Sequence, residues 1–124
     1  ADTLIGRTMP IIRADEIETE QFSGGASYRT LVGDDSGSIP LRVGVQTSPP
    51  GYDTGIHAHP YFEIVTVLSG SGEAWIDGEG GTVPIGAGTT MVFPPNVKHS
   101  FRTTGEVDLV TYGVHDSPER IVRR

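Results

Sequence analysis

Short β-rich segments, each ended by glycine or proline, follow one another through most of this chain. About nine of them lie between residues 28 and 114, at the spacing of roughly 8–12 residues that is typical of sandwiches and barrels. No stretch longer than about ten residues shows the apolar period of a helix. The 17 glycines and 9 prolines among 124 residues fit a turn-rich fold, since they form no low-complexity run. The sequence therefore predicts an all-β domain.

Charge and composition exclude several classes of function. The 9 basic and 16 acidic residues give a net charge of −7, which argues against nucleic acid as a partner. Cysteine is absent, so disulfide frameworks, thiolate metal sites and cysteine nucleophiles are excluded. We expect no membrane span, because no apolar stretch approaches about 18 residues, and we find no signal-peptide pattern. We therefore expect a cytoplasmic protein.

The chain divides into three parts. Residues 1–27 are predicted to form an N-terminal arm and a first edge strand, residues 28–116 a barrel, and residues 117–124 a C-terminal tail. The arm carries an acidic run that we interpret as a solvated face: Asp15, Glu16, Glu18 and Glu20. The tail carries a short basic end, also interpreted as solvated: Arg120, Arg123 and Arg124.

Histidine and glutamate are grouped in a way that suits a metal. His57 and His59 share one side of an extended segment, since side chains two residues apart project from the same face. Glu63 has the same parity and joins them if the segment bends or twists. Imidazole nitrogens and a carboxylate oxygen form a donor set that divalent transition metals accept. His99 is the best candidate for a fourth ligand, because an antiparallel neighbour would bring it opposite the pair. The alternative is a set of ordinary hydrogen-bonded histidines.

At these residues the sequence resembles the cupin superfamily. The first cupin motif has glycine, five residues, histidine, one residue, histidine, three or four residues, glutamate, six residues and glycine. Every spacing of that motif is present here, in Gly51, His57, His59, Glu63 and Gly70.

The second cupin motif matches in part. Gly88, Pro94 and His99 fall into place, whereas Asn96 stands where the motif has its second glycine and Thr103 where it has asparagine. Asn96 is a mild departure, because asparagine tolerates a left-handed backbone better than other non-glycine residues. The resemblance covers roughly residues 41–114.

The resemblance implies a jelly-roll β-barrel, or double-stranded β-helix, with one divalent transition metal per chain. The ion would be manganese, iron, nickel, copper or zinc, held by His57, His59, Glu63 and His99. A six-coordinate ion with these four ligands would keep two positions open. We therefore expect a metal-dependent oxidoreductase that carries out a dioxygenase-like reaction on a small oxygenated organic molecule.

Three alternatives to an oxygen-dependent reaction stay open. The first is a metal-dependent isomerase, lyase or decarboxylase, since this fold hosts many chemistries. The second is a non-catalytic module that binds a small ligand or a metal. The third is a metal-free cupin that uses Tyr61 or His115 as acid and base.

Further residues are candidates for the pocket. Tyr61 lies between two ligands on their face and is interpreted as a catalytic proton donor or a packing residue. His115 is a catalytic acid or base, with a metal ligand or a structural histidine as alternatives. Phe101, Arg42 and Gln46 are candidates for contact with substrate. If the face of Arg42 and Gln46 is the barrel interior, the arginine would pair with a substrate carboxylate; otherwise both point to solvent.

The assembly is predicted to be a homodimer. Small barrels often bury their exposed sheet edges by pairing, and cupins are commonly dimers. The N-terminal arm would then be able to exchange between protomers. We expect a small-molecule substrate and no nucleic acid or membrane partner.

Overall fold

The computed structural model describes residues 11–124, which form nine strands and one short 3-10 turn. The turn spans Ala14–Glu16. The strands are β1 (Glu20–Gln21), β2 (Ser27–Val32), β3 (Arg42–Ser48), β4 (Glu63–Ser69), β5 (Ser71–Ile76), β6 (Thr82–Gly86), β7 (Thr90–Phe93), β8 (His99–Thr104) and β9 (Leu109–His115). No helix within the described range is long and apolar enough to cross a membrane.

The strands build two antiparallel sheets. The larger sheet has the order β1-β2-β3-β9-β4-β7, and the smaller one has the order β6-β5-β8. Strand β9 lies in the middle of the larger sheet, where His115 is opposite Arg42 on one side and Glu63 on the other. This arrangement confirms the predicted all-β jelly roll and places one end of β9 beside the predicted metal ligands.

An apolar core joins the two sheets. On β4, Val65 and Val67 are buried while Ile64 and Leu68 are exposed, as the two-residue period of a strand requires. The core takes residues from both sheets: Val65, Val67, Ala74, Ile85, Met91, Phe93, Phe101 and Leu109. Burial of this apolar surface is the main favourable term in folding.

Strand β3 turns its polar side inward. Arg42 and Gly44 are buried, whereas Val43 is half-buried on the opposite face. Glycine is needed at position 44 because the Tyr28 ring occupies the place where a β-carbon would be. Of the two orientations considered for Arg42 and Gln46, the structure has the interior one.

Residues 56–68, the β-rich stretch that carries His57, His59 and Glu63, do not form one continuous strand. Only the second half of this stretch is a regular strand, β4, and Pro60 precedes it in a bend, where proline supplies no N–H to a ladder. The first half makes two single bridges, His57 with His99 and Ala58 with Arg123. The bend supplies the change of direction that Glu63 needs in order to join the two histidines.

The two terminal parts pack against the barrel in different ways. The acidic run of the arm is exposed, as predicted, and part of it forms the 3-10 turn. The tail is extended and pairs with the barrel, since Arg123 and Ala58 exchange two backbone hydrogen bonds of 2.8 and 2.9 Å. Residues 1–10 of the predicted arm lie outside the described residues.

Candidate metal centre

The four predicted ligands converge on one point. His57, His59, Glu63 and His99 each offer one ligand atom, and these atoms all lie within 4.8 Å of one another. They come from the bridged segment before β4, from the first residue of β4 and from the first residue of β8. Residues separated by up to 42 positions in the chain therefore form one group (99 − 57 = 42).

Backbone pairing fixes this convergence. His57 and His99 exchange two backbone hydrogen bonds, of 3.0 and 2.8 Å, so the antiparallel neighbour expected from the sequence is present. Asn96 has a φ of 64°, and its N–H donates to the His59 carbonyl at 2.7 Å. The left-handed turn of the second motif is thus made by asparagine in place of glycine. Phe93 stacks on the His99 ring with 3.8 Å between centroids and fixes its orientation.

Each ligand histidine is also held by its other ring nitrogen. The three Nδ1 atoms contact backbone carbonyls, which only accept hydrogen bonds, so we assign the ring proton to Nδ1 in each case. The Nε2 lone pairs are then free for a metal, as in metal sites where a carbonyl orients the imidazole. The contacts are His57 to Gly55 at 2.8 Å, His59 to Ile121 at 2.6 Å and His99 to Val97 at 3.0 Å.

The contacts around Glu63 fit a bound cation. Its Oε1 lies 3.1 Å from His59 Nε2 and 3.3 Å from His99 Nε2. The Nε2 atom of His99 is buried and makes no hydrogen bond of acceptable geometry. Nitrogen lone pairs facing a carboxylate oxygen repel it, and a buried unpaired nitrogen costs about 1–3 kcal/mol. A divalent transition metal among these atoms removes both penalties, so the donor set fits such an ion.

Local electrostatics keep His57 neutral and Glu63 ionised, which are the protonation states that a metal requires. Burial lowers the pKa of His57 to about 4, which leaves it neutral at pH 7. Burial raises the pKa of Glu63, but the hydrogen bond from His115, together with the nearby His59 and His99 rings, outweighs it and holds that pKa well below the usual range. Burial lowers the pKa of His59, and the Glu63 carboxylate more than offsets this, so the net shift is upward. Glu63 is therefore a carboxylate at neutral pH.

Behind the ligand group, Tyr61 and His115 form a hydrogen-bond chain. The Glu63 carboxylate only accepts hydrogen bonds, so we assign the ring proton of His115 to Nε2, which lies 3.1 Å from Glu63 Oε2. The Nδ1 atom of His115 then accepts from the Tyr61 hydroxyl, 2.7 Å away, and that hydroxyl accepts from the Ile121 N–H at 3.2 Å. His115 thus holds the second oxygen of a predicted ligand and stands outside the four-residue group. Burial raises the pKa of Tyr61, which keeps its proton in place.

A cavity of about 350 Å³ adjoins the centre. Of the predicted site residues, six line it: Gln46, His57, His59, Glu63, Phe101 and His115. Tyr61 lies behind His115 and does not line this cavity. Arg42 does not line it either, because Asp35 and the Pro118 carbonyl hold its guanidinium. The structure thus brings the metal ligands, His115, Gln46 and Phe101 together and places Arg42 apart from them.

The terminal parts contribute cavity residues that sequence reasoning missed. Phe22 of the arm and Arg120 of the tail both line the cavity, next to Tyr28 of β2. The basic end was interpreted as solvated, and this holds for Arg123 but is wrong for Arg120, whose side chain is only 22% exposed. No aromatic residue stands beside Arg120 in the sequence, so no local signal could have found its contact with Phe22 and Tyr28.

Three curated proteins resemble this chain. It is 32% identical over 111 residues to auxin-binding protein 1 of Arabidopsis thaliana, covering 82% of this chain and 56% of that protein. It is 30% identical to protein SchB of Streptomyces halstedii, covering 79% and 70%. It is 31% identical to polyketide synthase CurC of Streptomyces cyaneus, covering 77% and 62%. The chain thus spans little more than half of the auxin-binding protein.

Among solved structures, a predicted oxalate decarboxylase from Thermotoga maritima has the same fold. Its TM-score is 0.76 at 29% sequence identity, and the match covers 85% of this chain and 96% of that one. The sequence also matches the Cupin_2 family of cupin domains over residues 44–115, which include all four predicted ligands. Because this match spans more than half of the chain, the protein belongs to the cupin domain family.

Proposed function

We propose that this protein is a metal-dependent enzyme that acts on a small, oxygen-rich organic molecule without consuming dioxygen, as a lyase, isomerase or decarboxylase does. The observation that carries the proposal is the position of the ligand group, since three of its four members line a cavity of about 350 Å³. That volume suits a small organic molecule. A divalent ion bound there would supply Lewis-acid polarisation of a carbonyl oxygen.

The residues around the cavity are suited to handling protons. His115 lines the cavity, and Tyr61 and Glu63 hold its two ring nitrogens. A proton that leaves or enters His115 would be compensated along this chain of hydrogen bonds. Tyr61 would act through His115 as a positioning residue, because it does not line the cavity. The catalytic roles expected for both residues are part of this proposal.

The names of two relatives support an oxygen-rich substrate. One is a polyketide synthase and one is a predicted oxalate decarboxylase, at 31% and 29% identity. Oxalate and the β-keto units of polyketides each hold two oxygen atoms close enough to chelate one ion, a pattern that a metal with open positions can bind. This likeness favours a redox-neutral reaction over the dioxygenase-like reaction expected from the sequence.

An oxygen-dependent reaction is the second candidate. It is favoured by the donor set of three histidines and one glutamate, which would leave two positions of a six-coordinate ion for substrate and dioxygen together. The two candidates differ in what they consume, so one experiment separates them.

The test begins with protein purified without a metal-affinity column. Elemental analysis should find about one transition metal per chain. Protein loaded in turn with manganese, iron, nickel, copper and zinc is then given oxalate and β-keto acids, whose decarboxylation breaks one C–C bond, releases carbon dioxide and puts a proton on carbon. Carbon dioxide release without oxygen uptake supports the proposal. Oxygen uptake in step with product formation supports the dioxygenase instead.

Two other outcomes would overturn the enzyme proposal. A protein that takes up no metal on reconstitution would support the metal-free alternative. A protein that binds both metal and an oxygen-rich acid, yet converts none of the acids under air or nitrogen, would support a non-catalytic binding module.

A further inference from the structure

Two further polar atoms in the cavity wall are buried without a partner. Among residues 11–124, three buried side-chain atoms make no hydrogen bond: His99 Nε2, Tyr28 Oη and Arg120 Nη2. A bound metal accounts for the first. The other two belong to neighbouring side chains that both line the cavity. The two side chains are close enough for Arg120 to lower the pKa of Tyr28, but they make no hydrogen bond of acceptable geometry with each other. Buried polar groups in native proteins are nearly always paired, so these two atoms indicate a missing partner.

The Arg120 guanidinium is fixed in place by its surroundings. Its Nη1 donates to Glu20 Oε2 at 2.9 Å, and its central carbon lies 4.5 Å from the Tyr28 ring centroid and 5.1 Å from that of Phe22. Arginine has five N–H donors, so the contact with Glu20 leaves most of them for other partners. The guanidinium is therefore held close to its binding position before any ligand arrives, which reduces the entropy cost of binding.

Tyr28 adds a second donor of the same kind. Burial raises the pKa of its hydroxyl, although the neighbouring Arg120 lowers it in part, so the hydroxyl is protonated at neutral pH. The ring covers Gly44 on one side, and it stacks on Phe22 with centroids 5.4 Å apart. These contacts fix the ring and, with it, the position of the hydroxyl.

Arginine N–H donors face the cavity. Arg120 and Arg124 line it, and Glu63 is the acid among its lining residues. Glu20 lies outside the lining and pairs with Nη1 of Arg120, which leaves Nη2 without a partner. An unpaired guanidinium N–H favours an anionic oxygen, since charge-assisted hydrogen bonds are the stronger kind.

We propose that Arg120 and Tyr28 form a binding site for an anionic oxygen of an organic acid, either a carboxylate or a phenolate. A single ligand oxygen would accept hydrogen bonds from both unpaired donors after a small side-chain adjustment. This inference deepens the proposed function, on which it rests for the identity of the cavity as the substrate site.

The test measures binding to metal-free protein, so that neither a metal nor turnover contributes. Wild-type protein stripped with a chelator is titrated with benzoate, with 4-nitrophenolate and with the neutral isostere benzamide, by calorimetry or ligand-observed NMR. We expect one of the two anions to bind at least about tenfold more tightly than benzamide, because charge-assisted hydrogen bonds are the stronger kind. Preference for benzoate identifies a carboxylate site, and preference for 4-nitrophenolate a phenolate site.

Variants locate the binding site. Arg120→Gln should weaken anion binding about tenfold and leave benzamide unchanged, and Tyr28→Phe should weaken it less. Arg120→Lys keeps the charge but loses the planar fork, so it should fall between wild type and Arg120→Gln. Arg123→Gln is the matched control on the exposed side of the tail and should bind like wild type. Circular dichroism checks that each variant folds.

Three outcomes would overturn this inference. They are equal affinity of wild type for the anions and for benzamide, undiminished anion binding in both Arg120 variants, and equal losses in Arg120→Gln and Arg123→Gln. None of these results bears on metal content or turnover, so the proposed function would fail separately.

Discussion

The larger sheet distributes charged side chains between its two faces in the opposite way to most half-buried sheets. At one end its inner face carries ionisable side chains, Arg42, Glu63 and His115, all buried. The outer face of β3, β9, β4 and β7 is uncharged, and it consists of Val43, Val45, Thr47, Val110, Tyr112, Val114, Ile64, Thr66, Leu68, Thr90 and Val92. A sheet with one face on a core normally has the reverse pattern.

In this sheet a buried side chain can be charged where it has a bonding partner, so burial alone does not decide which residues are polar. The buried charges are stable because each has a partner, Glu63 the Nε2–H of His115, and Arg42 both Asp35 and a backbone carbonyl. The outer side chains have no such explanation within residues 11–124, since Ile64, Leu68 and Val92 are 41%, 52% and 50% exposed. An uncharged apolar face in a chain of net charge −7 is where two copies can meet with least repulsion.

The largest effect should come from removing two of the histidines that lie beside Glu63. His57→Ala combined with His99→Ala deletes two of four ligands, so bound metal should fall from about one per chain to almost none. The melting temperature should fall as well, because a metal bound only by the native state stabilises it. Elemental analysis and thermal unfolding measure both.

A graded control is available in His115→Gln. This residue orients Glu63 without belonging to the ligand group, so metal affinity should fall by about 10–100-fold, which leaves the site filled at excess metal. Unchanged metal occupancy in the double variant would show that the ligand set is wrong.

Two adjacent residues of β7 compare the faces directly. Phe93 is fully buried and stacks on His99, whereas Val92 points outward. Phe93→Ala should lower the free energy of unfolding by about 3–5 kcal/mol, because it leaves a cavity in the core. Val92→Ala should cost about 1 kcal/mol or less. Equal losses in urea unfolding would mean that the two faces are buried to the same extent.

The predicted homodimer is tested on the outer face. Wild-type protein should have about twice the 13.2 kDa chain mass in light scattering, and Tyr112→Lys should reduce it to the mass of one chain. Tyr112 lies between Val45 and Thr66 at the middle of this face. Metal content should not change, because the side chain points away from the cavity.

Val107→Lys is the matched control for this test, since Val107 is 63% exposed in the loop before β9 and lies off the face. A wild-type protein that stays monomeric at all concentrations would remove the homodimer prediction.

The sequence could predict the fold and the ligand group because both depend on local patterns. Strand periodicity and glycine spacing indicate a barrel, and the positions of His57, His59 and Glu63 share one parity. The orientation of β3 could not be predicted, because its alternation is equally compatible with either face inward. The pairing of Arg120 with Glu20 joins residues 100 positions apart, and no local pattern encodes such a contact. The orientation of β3 and the Arg120–Glu20 pair both depend on tertiary packing between residues far apart in the sequence.

The smallest effect is expected in the loop between β2 and β3. Asp34 Oδ1 accepts hydrogen bonds from the Ser36 hydroxyl at 2.6 Å and from the Ser38 N–H at 3.2 Å. These bonds lower the pKa of Asp34 to about 2, and the bond from Ser36 has the largest effect. The ionised form therefore stabilises the loop above the unfolded pKa of about 3.9, and this contribution disappears as pH falls towards 2.

Asp34→Asn should consequently melt on the order of 1 °C below wild type at pH 5 and lose that difference by pH 2, since the contribution of an exposed group is small. Melting curves recorded across this range measure the effect. A difference that stays constant from pH 5 to pH 2 would show that the charge of Asp34 plays no part. The loop matters to the inner face because the adjacent Asp35 holds Arg42, so ordering by Asp34 contributes, weakly, to keeping that arginine away from the cavity.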